Sequence, residues 1–248
     1  MDIQTVFKRV EIKYLITRKQ EETIRSAMRA YMLPDRYGPC VIRNIYYDTE
    51  NYRLIRRSLE KPVYKEKLRL RSYGQAGLDD IVFVELKKKY ESVVYKRRLR
   101  LPQGRAREWL DGGMYPERPP SQIAREIDYF RQFYEDLRPA AFISYEREAF
   151  FAADGSDFRI TFDQNILARL DKLSLAEAPG GMSLLSPGKI LMELKSSSAI
   201  PLWLAKLLSR EGIFKSSFSK YGTAYVNLIG GCSSIRSSDK GEGQYANF

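Results

Sequence analysis

Between Tyr64 and Leu101, three strand-like runs carry charge at nearly every second position. Successive side chains of a strand point to opposite faces, so each run gathers its charges on one side. In the first run Lys65, Lys67, Arg69 and Arg71 oppose Tyr64, Leu68 and Leu70, with Glu66 interrupting the apolar row. In the second, Phe83, Glu85 and Lys87 oppose Val82, Val84 and Leu86. The third sets Val94, Lys96, Arg98 and Arg100 against Val93, Tyr95, Arg97, Leu99 and Leu101. A sheet built from these strands has one basic face, which either meets water or lines a cavity.

The same alternation returns at Phe7 to Tyr14, Phe142 to Phe151, Phe158 to Asp163 and Ile190 to Lys195. Helical signals are fewer. Thr17-Arg18-Lys19-Gln20 has the form of a capping box ahead of Ile24, Ala27, Met28 and Tyr31. Ser121 is placed to cap a helix with Ile123, Ile127, Phe130 and Tyr134 on one stripe. Several strand pairs are joined by hairpin-length loops, such as Ser72 to Asp80 and Asp154-Gly155-Ser156-Asp157. The pattern predicts an α+β fold, a mostly antiparallel sheet or barrel with peripheral helices. One domain is expected over residues 1–229, followed by a disordered Gly- and Ser-rich tail over 230–248.

Composition narrows the chemistry. A net charge of +11 points to an anionic partner: nucleic acid, anionic lipid or a phosphate-rich small molecule. With no histidine in the chain, histidine general-base catalysis and histidine metal ligation are excluded. Cys40 and Cys232 are too few and too far apart for a disulfide framework or a cysteine zinc site. No apolar run approaches the roughly 18 residues of a spanning helix, and the N-terminus lacks signal-peptide character, so a cytoplasmic location is expected. No recognisable nucleic-acid motif accompanies the charge.

An alternating strand ordinarily turns its charged face to water. Three features weigh against that here. The charges within a strand are nearly all cationic, whereas a solvated surface mixes signs. Isolated carboxylates, Glu11, Glu85 and Glu193, sit among the cations. The opposite faces are apolar enough to form a core with helices. If the basic faces turn inward, the cavity needs an anion, and arginine forks bind phosphate oxygens in pairs. The glutamates would then hold a divalent cation, since Mg²⁺ and Mn²⁺ prefer oxygen ligands shared with phosphates.

Several motifs occur in order: Arg9-x-Glu11-x-Lys13-Tyr14, Tyr46-Tyr47-Asp48-Thr49, Lys67-x-Arg69-x-Arg71-x-Tyr73, Glu85-x-Lys87, Lys96-x-Arg98, Ser144-Tyr145-Glu146-Arg147, Arg159-Ile160-Thr161-x-Asp163, Glu193-x-Lys195 and Ser219-Lys220-Tyr221. Together they resemble the VTC-type polyphosphate polymerase domain, a branch of the triphosphate tunnel metalloenzymes, over roughly residues 5–228. The resemblance implies an antiparallel β-barrel tunnel that transfers the γ-phosphate of ATP to a growing polyphosphate chain. It implies that Lys13, Arg69, Arg71, Lys87, Lys96, Arg147, Arg159 and Lys220 bind the triphosphate or the product chain. Tyr145, Ser219, Arg98 and Lys67 would assist, although Lys67 also suits a solvated surface and the Lys96-Arg97-Arg98 run permits a shifted register. Glu193, helped by Glu11, would hold Mn²⁺ or Mg²⁺. The wider family carries Glu-x-Glu-x-Lys on its first strand, and here Arg9 replaces the first acid, which tilts the expectation toward chain extension over triphosphate hydrolysis. A triphosphatase and a non-catalytic polyphosphate-binding module remain the alternatives. Export of product through a membrane would require a membrane-protein partner.

Overall fold

The computed structural model describes residues 10–91, 93–116 and 120–230. The start of the first strand, with Arg9, and the tail beyond Gly230 lie outside the described residues. Eleven strands among the described residues form one antiparallel sheet. They are β1 (Val10–Thr17), β2 (Met32–Pro34), β3 (Cys40–Asp48), β4 (Tyr64–Tyr73), β5 (Ile81–Tyr90), β6 (Val93–Pro102), β7 (Arg138–Ala152), β8 (Arg159–Arg169), β9 (Met182–Ser183), β10 (Lys189–Ser196) and β11 (Lys215–Ser216). Nine run in the spatial order β11-β1-β10-β8-β7-β3-β4-β5-β6, while β2 pairs with β7 and β9 with β8. The helices are α1 (Arg18–Met28), α2 (Arg53–Leu59), α3 (Gln103–Leu110), α4 (Gln122–Phe133), α5 (Leu202–Arg210) and α6 (Lys220–Tyr225). None among the described residues is long and apolar enough to cross a membrane.

Local chemistry starts the helices where the sequence predicts. Thr17 accepts from the backbone N–H of Gln20 at 3.2 Å, and the Gln20 side chain accepts from Thr17 N–H at 3.0 Å, completing the capping box. Ser121 caps α4 through the N–H of Ala124 at 3.2 Å. The Gly- and Pro-containing segment after β8 contains β9. Gly181 makes that pairing feasible: a Cβ there would lie 2.1 Å from the Ala168 carbonyl oxygen, and its φ of +112° suits glycine.

Burial decides which face of the sheet is inside. The apolar rows of β4 and β5, Leu68, Leu70, Val82, Val84 and Leu86, pack against Ala106 and Trp109 of α3 and Ile127 and Phe130 of α4. On the other half, Tyr14, Ile16, Ile160, Phe162, Ile190 and Met192 pack against Ile24 and Met28 of α1 and Leu204 and Leu207 of α5. Each such buried side chain contributes about 1.5–3 kcal/mol. Helices therefore cover the apolar side of the sheet, and the charged rows face its concave side.

Two differences from the predicted barrel bear on the site. Among the described residues backbone pairing leaves β11 and β6 as edges, and no ladder joins them. Long side chains span the concave space instead: Lys87 on β5 reaches Glu11 on β1 at 2.8 Å. Also, the helices are not all peripheral. Tyr221 and Ala224 of α6, with Ile55 of α2, pack against Ile42, Tyr46, Ile143, Tyr145 and Leu191. The inward rows of β3 and β7 are apolar enough there to seat a helix, so the concave side is part cationic wall and part helix platform.

Candidate active site

Strand register assembles the cationic wall. Lys67 pairs with Lys87 and Lys87 with Lys96, while Arg69 pairs with Glu85 and Glu85 with Arg98. This register removes the ambiguity of the Lys96-Arg97-Arg98 run. Lys96 and Arg98 face the concave side, whereas Arg97 turns outward to Glu126 on α4 at 2.8 Å. Glu85, 1% exposed, is the hub of the wall. It lies 2.7 Å from Lys96 and accepts from Arg69 Nε at 2.8 Å and Arg98 Nε at 2.7 Å. Burial alone would push its carboxyl up, but Arg69, Arg71, Lys96 and Arg98 hold it well below the usual range. Arg71 is fixed from the other side by Asn44 at 2.9 Å and the Tyr145 hydroxyl at 3.0 Å.

A second centre has two acids. Arg147 donates to both oxygens of Asp163 at 2.6 Å, a bidentate fork, and to Glu193 at 3.2 Å. Lys220, the first residue of α6, reaches Asp163 at 2.5 Å and Glu193 at 3.1 Å, with its ammonium 4.5 Å from the centroid of the Tyr145 ring. Burial disfavours the charged form of each group, yet mutual attraction prevails. Lys220 is held above the usual lysine range, and Asp163 and Glu193 below the carboxylate range.

Between the centres lies the least compensated charge. Lys13 touches Glu11 at 3.5 Å and Glu193 at 3.6 Å, and donates to the Phe218 carbonyl at 3.1 Å. Lys67 donates to Ser219 Oγ at 3.1 Å, and that oxygen also caps α6. Lys67 thus faces the interior and not the outer surface. Burial first, then Lys13, Lys87 and Lys65, pushes its pKa down to about 7. Lys195, on the same row as Glu193, falls to about 8 for the same leading reason despite the pull of Glu193. Like charges directly opposite one another destabilise a sheet, and an anion between them relieves the repulsion.

The predicted residues are brought together with one exception in degree. Arg159 lies on the inward row of β8, paired with Lys195, but is exposed at the rim. Asp163, Lys195 and Thr161 stand in the ordered motifs without an assigned role, and the hub role of Glu85 is added by the structure. The signal was present, since each shares the alternating row of a residue that was chosen.

The donor set fits a divalent cation only in part. No cluster of three or more potential ligands is arranged to hold an ion among the described residues. Glu193 and Glu11 converge on one ammonium, and Thr161 Oγ1, buried without a partner, sits on the residue paired with Glu193. An all-oxygen set this sparse suits a hard ion that completes its shell with phosphate oxygens and water.

Comparisons with known proteins agree with this architecture. The VTC domain family model matches residues 8–229. No curated protein sequence matches the chain. An adenylate cyclase-like protein from Bacillus halodurans is similar in structure, with a TM-score of 0.54 at 14% identity over 87% of this chain and 96% of its own. An adenylyl cyclase-like protein from Hippeastrum, described by a dominant triphosphatase activity, gives 0.55 at 16% identity over 89% and 97%.

Proposed function

This chain belongs to the VTC domain family, and from that premise we propose that it extends polyphosphate by transferring the γ-phosphoryl group of ATP to the end of a growing chain. The tunnel metalloenzymes as a group use divalent metal ions. Here Glu193, with Glu11, would hold Mn²⁺ or Mg²⁺, which when bound neutralises charge on the phosphates.

The chain's own residues supply positioning and charge. Arg69, Arg71, Arg147 and Lys220 line the concave face where phosphate oxygens would lie, and Lys13, Lys67 and Lys87 extend the same basic surface. A terminal phosphate oxygen of the acceptor attacks the γ-phosphorus, the bond from that phosphorus to the β-bridging oxygen breaks, and ADP leaves. In such a transfer catalysis is mostly orientation and electrostatic stabilisation. The acceptor oxygen is already largely ionised at neutral pH, so no general base is required.

One observation supports transfer to phosphate over transfer to water. Glu11, Glu85, Asp163 and Glu193 are each ion-paired with lysine or arginine side chains, at 2.8 Å to Lys87, 2.7 Å to Lys96, 2.6 Å to Arg147 and 3.1 Å to Lys220 respectively. Carboxylates so stabilised are weak bases, and water needs one more than a phosphate does. Incubation with ATP, Mn²⁺ and a short phosphate primer is expected to yield long polyphosphate with matching ADP. Accumulation of free phosphate without chain growth would assign the protein as a triphosphatase instead.

A further inference from the structure

The basic wall changes character along its length. Successive pairs across β4, β5 and β6 read Lys65 with Lys89, then Lys67, Lys87 and Lys96, then Arg69, Glu85 and Arg98, then Arg71, Phe83 and Arg100. One end presents lysines beside Val94, with Tyr64 and Tyr90 there on the other face of their strands. The opposite end becomes aromatic. Tyr73 follows Arg71 on the inward row, its ring centroid 5.6 Å from that of Phe83 at an interplanar angle of 89°. The Arg98 guanidinium stands 4.4 Å over the Phe83 ring and donates to the Tyr73 hydroxyl at 3.2 Å.

These contacts fix the orientation of a ring that is 50% exposed. An isolated exposed tyrosine would mean little. This one is anchored to Arg98, which Glu85 ties to the phosphate wall. We infer that Tyr73, with Phe83 and Arg98, forms the docking platform for the nucleoside of the nucleotide donor, so that the base stacks at this mouth while its phosphates run inward along Arg71 and Arg69. Tyr73 lies two residues, about 7 Å of strand, beyond Arg71, a spacing of the order that a ribose sets between base and α-phosphate. Aromatic rings and guanidinium planes accept any base by stacking. The inference rests on the tunnel as a triphosphate site and adds a distinction between a nucleoside triphosphate and bare tripolyphosphate.

Calorimetric titration of wild type, Tyr73→Ala and Tyr73→Phe with ATP and with tripolyphosphate tests it. Tyr73→Ala is expected to weaken ATP about tenfold, the order of one lost base stack, and to leave tripolyphosphate unchanged. Tyr73→Phe, which keeps the ring but loses the hydroxyl contact to Arg98, is expected to bind both as wild type does. Equal weakening of both ligands by Tyr73→Ala would mean that the residue acts through Arg98, and no weakening of either would mean that the base does not stack there. Each result overturns the platform while the tunnel stands. Failure of the wild type to bind tripolyphosphate would overturn the tunnel reading, and the platform with it.

Discussion

The two acid centres on the concave face solve opposite problems. Glu85 is a single carboxylate surrounded by Arg69, Lys96 and Arg98, with Arg71 at 3.8 Å, so cations outnumber it and their remaining charge faces the cavity. At the other centre Asp163 and Glu193 share Arg147 and Lys220, and Lys13 and Lys195 stand 3.6 and 3.8 Å from Glu193, so two acids sit side by side among four cations. The first centre organises a wall that lacks an anion. The second places two acids side by side, so Glu193 would pass to a metal ion while Asp163 stays with Arg147 and Lys220. Glu85 is therefore expected to matter for stability and Glu193 for turnover.

Substitution separates the two most sharply. Glu193→Gln is expected to lower turnover at least about a hundredfold, beyond the loss typical of an outer-shell metal partner, while tripolyphosphate binding persists. Calorimetry beside the polymerisation assay checks this, and unchanged turnover would remove Glu193 from the reaction. Its cost in stability should be smaller than that of Glu85→Gln, because Asp163 still pairs with both Arg147 and Lys220. Glu85→Gln leaves the buried Arg71 and the half-buried Arg69, Lys96 and Arg98 without their acid, a change that costs about 3 kcal/mol once solvent screening of the exposed pair is allowed for. Chemical denaturation should register that loss, and saturating tripolyphosphate should restore part of it by binding only the folded chain.

Proton linkage probes the space between the centres. Lys67 has a lower pKa in the fold than in the unfolded chain, so between about 7 and the ordinary lysine value the unfolded chain holds the extra proton. Stability of the ligand-free protein is expected to rise with pH across that interval, and Lys195, near 8, acts in the same direction. Tripolyphosphate favours the protonated ammonium, so its affinity should fall over the same range. Lys67→Met should lessen both trends without abolishing them, since Lys96 and Lys195 are lowered as well, and denaturation and titration at pH 7 and pH 9 would reveal the difference. The smallest effect is expected at the rim, where Arg159→Ala should weaken tripolyphosphate less than about threefold, a difference that vanishes at high salt.

The sequence made the sheet legible because charge and apolar side chains alternate with period two over β4, β5 and β6. It also identified the cavity-facing rows, since the opposite rows, led by Leu68, Val84 and Leu86, had to be a core. Three things were not legible. Edge closure depends on how far the sheet curls, which no local pattern encodes. The inward seat of α6 arises from apolar inward residues such as Ile42, Ile143 and Leu191, which by alternation alone read as ordinary strand positions. The balancing role of Asp163 required knowing that Lys220, 57 residues away in sequence, would reach it.

The account stands on a linear phosphate chain occupying the concave face, and a crystal structure of the protein with tripolyphosphate tests that most directly. It predicts phosphate oxygens within hydrogen-bonding distance of Arg69, Arg147 and Lys220, with Lys67 and Lys87 turned toward the chain. Tripolyphosphate bound only to the outer, helix-covered side, or absent from the concave face at saturating concentration, would contradict it.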